Sequence, residues 1–308
     1  MKSQKRLQIL LMLAAIALLA LTLFNPKLTL ELDSYRYVYV IDISQSMNVK
    51  DMKNDRGPLS RLNFVKKTAI DSLSKLPCRT EVGFALFSGH RPFMLTEPVE
   101  VCKNLYDLIN TVELIDWTNT WKSRSEIAKG LYKSIKLMKV VEKETRVVFF
   151  TDGHEAPPIN PDQLPRFPGK AGEIKGLIVG VGGDKPVRIP KLKRDGGQEG
   201  FWQADEVVHV DIYTQEKNKR EGIKLPSGTE HLSFLRESYL KGLAEKTGLK
   251  YLRLEDTNSL LNQLDNKAFG HPKTVQADIR WVLALLSLLL LISIYLINPI
   301  KAFLNKPK

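Results

Sequence analysis

Asp42-Ile43-Ser44-Gln45-Ser46 places one carboxylate and two hydroxyls at alternate positions, directly after the apolar run Val38 to Ile41. A chain leaving a strand can turn alternate side chains toward one point, and hard oxygen donors gathered there suit Mg2+ or a similar small cation. Asp152 offers a second carboxylate after a second apolar run, Val147 to Phe150. A D-x-S-x-S string by itself is weak evidence, because Asp and Ser also cap helices and close loops. Its place after a strand gives it weight, since ligands of parallel α/β sheets collect beyond the carboxyl ends of the strands.

The elements that must position these groups follow from periodicity. Arg36 to Ile43 is rich in β-branched and aromatic residues and nearly continuous in apolar character, as a central strand requires. Leu62, Val65, Ala69, Leu73 and Leu76 recur at helical spacing within Ser60 to Leu76. Glu81 to Phe87, Arg146 to Phe150, Ile174 to Val181 and Tyr251 to Leu254 read as further strands. Val101 to Leu114, the stretch holding Ile127, Leu131, Ile135 and Met138, and Phe234 to Thr247 read as helices. Strands alternating with helices predict an α/β fold, a doubly wound and mainly parallel sheet with helices on both faces. His154 to Gly172 should be loop, and Asp184 to Glu230 an insertion with a strand pair around Val207 to Ile212 and Gly222 to Leu225.

With this strand context, Asp42, Ser44, Ser46 and Asp152 resemble the metal-ion-dependent adhesion site of von Willebrand factor A (VWA) domains, over about residues 35 to 265. The resemblance implies a Rossmann-like VWA fold in which Asp42, Ser44 and Ser46 bind the metal directly or through water and Asp152 adds a second acid. A threonine usually comes from a middle loop. Here the helix S-E-I-A-K-G-L puts Ser125 at that position, with Thr118 or Thr120 as alternatives, and Ser123 with Glu126 could instead form a capping box. The implied cofactor is Mg2+, or another divalent cation such as Mn2+ or Ca2+. The implied partner is a protein that presents an Asp or Glu to the metal.

The stretch Asp42 to Arg61, DISQSMNVKDMKNDRGPLSR, and the later HLSFLRESYLKGLAEKTGLKYLRL are similar to Bat-type bacterial VWA proteins, which share an anchor, VWA domain, anchor layout. Those relatives are associated with MoxR-type AAA+ ATPases and other VWA proteins. The Trp117-Thr-Asn-Thr-Trp121 loop looks closest to the branch that accompanies bacterial methanol oxidation. That branch implies an accessory role in maturing a periplasmic metalloenzyme such as methanol dehydrogenase. A Bat-type role in envelope stress or aerotolerance is the alternative.

A metal-dependent hydrolase is the less favoured class. No D-x-D stands at the first strand end, and no G-x-x-x-x-G-K-[ST], H-E-x-x-H or G-x-S-x-G string occurs, so no enzyme is expected. His90 and His154 lie near strand ends but read as loop histidines. Trp117, Trp121 and Trp202 could anchor a contact surface or simply pack.

Leu7 to Phe24 is an uncharged apolar run behind a basic start, and Trp281 to Ile297 is another, bounded by Arg280 and Lys301. Both have about the length of a membrane span, and LTLFNPK lacks the small-residue cleavage site of a signal peptide. The layout expected is an anchor over 1–25, the VWA domain over 26–279 with the insertion at about 184–230, and a second transmembrane helix with a short tail over 280–308. Lys2, Lys5, Arg6, Arg280, Lys301, Lys306 and Lys308 hold seven of the net +12 charges, which leaves about +5 for the rest and no basic block for nucleic acid. Basic residues at both ends predict cytoplasmic termini and a periplasmic domain on a bacterial inner membrane. Cys78 and Cys102 are the only cysteines, and pairing and separate burial both stay open.

Overall fold

The structure, a computed structural model, describes residues 2–54, 57–122, 124–142, 144–159, 164–222 and 228–304. The chain divides into two compact units, Ser34–His271 and Met1–Asp33 with Pro272–Lys308.

In the first unit, β1 (Arg36–Asp42) is followed by α1 (Arg61–Leu73), β2 (Glu81–Ser88), β3 (Arg91–Glu100), α2 (Leu105–Glu113) and α3 (Ile127–Val141). Then come β4 (Arg146–Thr151), β5 (Gly176–Gly180), α4 (Glu237–Thr247), β6 (Lys250–Arg253) and α5 (Thr257–Leu264). The strands form one sheet in the order β6-β5-β4-β1-β2-β3, in which every neighbouring pair is parallel except β2 with β3. The fold is therefore mixed α/β with a mostly parallel sheet.

Alternation along each strand feeds two cores. Tyr37, Tyr39 and Ile41 of β1, with Val148 and Phe150 of β4, pack on one face under Leu62, Val65 and Ala69 of α1. Val38, Val40, Val147 and Phe149 pack on the other under Leu131 and Ile135 of α3 and Leu240 of α4. Gly130 lets α3 approach closely, because a Cβ there would meet the Phe87 ring at 2.0 Å. Coverage of both faces explains why the central strands read as continuous apolar runs.

Several expectations are corrected. β3 is an unforeseen edge strand; Pro92 and Pro98 mask its two-residue alternation in the sequence, yet proline is tolerated at a sheet edge. No strand forms at Val207 to Ile212. Asp211 accepts a hydrogen bond from Thr214 N at 3.0 Å and caps a helix over Ile212–Arg220, so capping overrides the β-branched composition. Residues 223–225 of the expected partner strand lie outside the described residues. The insertion's strands are instead Val187–Arg188 with Leu232–Ser233, and Pro190–Leu192 with Gln198–Phe201 around Asp195-Gly196-Gly197. Cys78 and Cys102 are not buried thiols: both are exposed and joined in a disulfide with Cα atoms 5.3 Å apart.

In the other unit, the helices Lys2–Thr22 and Arg280–Leu304 pair, and Ser287 Oγ donates to Ala15 O at 3.0 Å. Strands Lys27–Ser34 and His271–Asp278 form a two-stranded sheet. Ile279 N reaches Pro26 O, so 279 meets 26 while 287 meets 15, and the two segments run antiparallel. Ile9, Leu10, Leu13, Trp281 and Leu289 are all exposed. Among the described residues no helix is long and apolar enough to cross a membrane. The end of the expected span 281–297 lies outside the described side chains.

The disulfide closes a loop of sequence separation 24. Replacing both cysteines by serine should lower stability by about 3 kcal/mol, read as an earlier urea midpoint at unchanged slope. An unmoved midpoint would show that the bridge does not constrain the unfolded chain.

Candidate metal centre

Because β1 and β4 are parallel neighbours with Ile41 opposite Phe150, Asp42 and Asp152 emerge at the same end of the sheet. Asp42 closes β1. Its Oδ1 accepts from Ser44 N at 2.9 Å and its Oδ2 from Thr151 Oγ1 at 2.7 Å. The Ser44 hydroxyl lies 3.3 Å from the Ser46 hydroxyl, and Arg61 Nη1 joins Ser46 O, at 3.4 Å, to Asp152 Oδ2. Four of the five sequence-derived residues are thus linked in one chain of contacts.

Ser125, the fifth, sits before α3 in a loop pinned to Ala156: Ser125 N donates to Ala156 O at 2.8 Å and Ala156 N to Ser125 O at 2.7 Å. Its Oγ is buried and has no hydrogen-bond partner. Ser44, Ser46 and Ser125 line the same cavity, of about 250 Å3. The alternatives are engaged elsewhere, Thr118 Oγ1 with Asp116 and Thr120 Oγ1 with Ser88. Ser123 lies outside the described residues, and Glu126 makes no capping bond. His90 sits 3.7 Å from Glu126, while His154 is buried beside the cavity with its Nδ1 unpartnered. Trp117 packs on the core, Trp121 lies edge-on to Phe93, and Trp202 lines the cavity.

Sequence reasoning missed the groups that hold the acids. Arg61 is fully buried; its Nη1 donates to Asp152 Oδ2 at 2.5 Å and to Ser233 Oγ at 2.6 Å, and its Nη2 to Asp51 Oδ2 at 2.6 Å. Asp152 Oδ1 accepts from His154 N at 2.9 Å. Glu155 takes Ile127 N and Ala128 N, both at 2.9 Å, and Tyr239 OH at 2.6 Å, so it caps α3 and fixes the Ser125 loop. The Ser60-Arg61 pair in the sequence reads as an ordinary helix start, and Ser60 does accept from Asn63 N. Nothing local marks Arg61 as bridging to residues 152 and 233.

Two buried carboxylates share this end of the sheet, and their surroundings treat them differently. Burial pushes Asp42 up to about 7, and the neighbouring Asp152 adds to the push against the bonds from Ser44 and Thr151. Burial acts on Asp152 the same way, but Arg61, with His154 and the Ser46 hydroxyl, outweighs it and holds Asp152 below the ordinary carboxylate value. Burial likewise raises Glu155 to about 7 despite its three donors.

The donors suit a hard divalent cation: all are oxygens, and among the described residues Asp42 has no cationic partner and Ser125 Oγ has no hydrogen-bond partner. Among the described residues the one compact His/Cys/Asp/Glu group of three is Cys78, Glu100 and Cys102, whose sulfurs are spent in the disulfide.

No family model and no curated protein matches the chain. Among solved structures it is similar to an aerotolerance-related membrane protein from Bacteroides fragilis, at 16% identity over 75% of this chain and 97% of that one, with a TM-score of 0.48. It is similar to BatB from Bacteroides thetaiotaomicron at 16% identity over 75% and 95% of the two chains, TM-score 0.48. A von Willebrand factor type A protein from Catenulispora acidiphila matches at 11% over 83% and 44%, TM-score 0.42. Identities this low and TM-scores below 0.5 leave the assignment of function to the geometry of the site.

Two outcomes follow from the electrostatics. Arg61→Met strands Asp152 and Asp51 without their cation and should cost about 3–5 kcal/mol, part of which Asp152→Asn in the same chain should restore; equal stability of the single and double variants would contradict this. Asp42 has a folded value above its unfolded 3.8, so its contribution is complete below that pH and is lost as pH rises through about 7. Asp152, depressed, contributes in the opposite sense, losing its share only as pH falls. Without added metal the protein should therefore lose stability as pH rises from about 4 to about 7, and Asp42→Asn should flatten part of that slope in thermal unfolding.

Proposed function

We propose that the chain is a membrane-anchored VWA-type adhesion protein that binds a divalent cation through Asp42, Ser44, Ser46, Ser125 and Asp152. The cation in turn holds an acidic side chain of a protein partner. The observation that carries this reading is that Asp42 and Asp152 leave neighbouring parallel strands at one end of the sheet while Ser44, Ser46 and Ser125 line one cavity, with the Ser125 hydroxyl buried and unpartnered among the described residues. Mg2+ fits the all-oxygen donor set best, with Mn2+ or Ca2+ as substitutes. When bound, it supplies a positive centre to which a carboxylate can attach.

The residues divide the work. Asp42, the acid without a cation of its own, would hold the metal together with the serine hydroxyls. Asp152, with Oδ2 engaged by Arg61 and Ser233, would act through Ser46 or water. The protein acts by attachment, not turnover.

The location proposed is the bacterial inner membrane, with the sheet domain in the periplasm and both termini in the cytoplasm. A disulfide suits an oxidising compartment. Exposed apolar side chains on the two paired helices suit lipid, and their antiparallel course brings Lys2 and Leu304 toward one end of that unit. The finer assignment, an accessory factor for maturing a periplasmic metalloenzyme such as methanol dehydrogenase alongside a MoxR-type ATPase, rests on the resemblance in the sequence. A Bat-type aerotolerance role is the second reading, and deleting the gene separates the two by whether dehydrogenase maturation or oxygen tolerance fails.

Calorimetric titration of the full chain in detergent with Mg2+ should give one binding event that Asp42→Ala abolishes. Circular dichroism should show the fold intact, because the substitution removes a buried carboxylate rather than an ion pair. Undiminished Mg2+ binding by Asp42→Ala would overturn the proposal.

A further inference from the structure

The cavity above the metal centre is walled by the insertion. Ile189, Trp202, Val207 and Val208 line it together with Ala156 and Pro157 of the loop after β4. The wall is fixed rather than loose. Arg61 Nη2 donates to Ser233 O and Gly183 N donates to Asp51 Oδ2, so one ion pair grips both roots of the insertion. Trp202 N bonds Ile189 O at 3.0 Å, and Lys191 lies 4.8 Å over the Trp202 ring.

This enclosure leaves polar atoms waiting. His154 and Trp202 line the cavity, their Nδ1 and Nε1 are buried without a partner among the described residues, and His154 is only 4% exposed. Indole Nε1 can only donate, whereas an imidazole nitrogen donates or accepts. A peptide main chain offers a carbonyl to the first and either of its groups to the second. The lining also carries Arg124 and Glu155 beside Glu206 and Glu230, the last two already paired, with Lys191 at 2.7 Å and Arg236 at 3.7 Å. Arg124 is the one Lys or Arg of the lining, so beyond the carboxylate taken up by the cation the wall offers further negative charges little compensation.

We infer that the acid reaching the cation arrives on a short peptide segment, a loop tip or chain end, whose apolar side chain next to the acid packs against Trp202, Val207 and Val208, while His154 Nδ1 and Trp202 Nε1 bond its main chain. This rests on the cation-binding reading above and goes beyond it by naming the ligand's form. A flat partner surface does not reach Ser44, Ser46 and Ser125, all three of which are buried. About 250 Å3 is also less than the roughly 300–1,000 Å3 of sites that enclose larger ligands. Selectivity for one acid with an apolar neighbour is thereby set by the insertion, and Trp202 and His154 are its specificity residues.

The test presents the immobilised full chain in detergent with a library of short random peptides capped at both ends, with millimolar Mg2+ and again with excess chelator. Mg2+ binding is measured alone by calorimetry on the same samples. The expected result is Mg2+-dependent enrichment of peptides with a single Asp or Glu beside Val, Ile, Leu or Phe. Trp202→Phe, which removes only the indole N–H and part of the ring, should weaken the enriched peptides about tenfold, the effect of losing one buried hydrogen bond, and leave Mg2+ affinity unchanged. Enrichment of polyacidic peptides or of acids without apolar neighbours, indifference to Trp202→Phe, or Mg2+ binding with no peptide enriched would each overturn this inference and leave the cation site standing. Absence of Mg2+ binding would overturn the underlying reading and this inference with it.

Discussion

A guanidinium removed from water must be neutralised where it sits, at a desolvation cost of several kcal/mol, and Arg61 sits between Asp51 and Asp152 with no exposed surface. The same group reaches Ser46 O and Ser233, so the loop after β1, the end of β4 and the return of the insertion all meet on one side chain. Its charge explains the asymmetry of the two carboxylates. Asp152 is compensated and fixed in orientation; Asp42 has no such cation beside it among the described residues, and burial with the neighbouring Asp152 pushes it up to about 7. Removing Arg61 would therefore disturb the fold and the site together, which ties the placement of the oxygen donors to stability itself.

Much of this architecture was legible in the sequence because buried parallel strands leave an unmistakable trace. RYVYVID and RVVFFT are apolar throughout since both faces of the sheet are covered, and Asp42 and Asp152 stand where such strands end. The alternating hydroxyls of Ser44 and Ser46 were readable for the same reason. Ser125 was suggested only by the resemblance of S-E-I-A-K-G-L to a threonine-led helix of VWA domains, and its orphaned hydroxyl leaves no trace in the sequence.

What escaped the sequence was non-local or worked against composition. Arg61 bridges 91 residues to Asp152 and 172 to Ser233, and no short-range pattern reports such a contact. The β-branched stretch after Glu206 looked like a strand, whereas Asp211 commits the following residues to a helix. The hairpin that does form around Asp195-Gly196-Gly197 lies ahead of the expected strand pair in the chain. β3 was hidden by its prolines, and the pairing of Lys27–Ser34 with His271–Asp278 joins segments from the two ends of the chain.

The Cys78–Cys102 bridge lies just outside the open end of the hairpin formed by β2 and β3, with Val101 N bonded to Thr80 O beside it. β3 borders the sheet and presents Phe93, Leu95 and Val99 to solvent, the composition that invites pairing between chains. A covalent clasp at that position keeps the border strand from peeling away and being traded with a neighbouring molecule. Two cysteines at the root of one hairpin would thus protect the protein against strand exchange, and its reduced form would be the one prone to tangle.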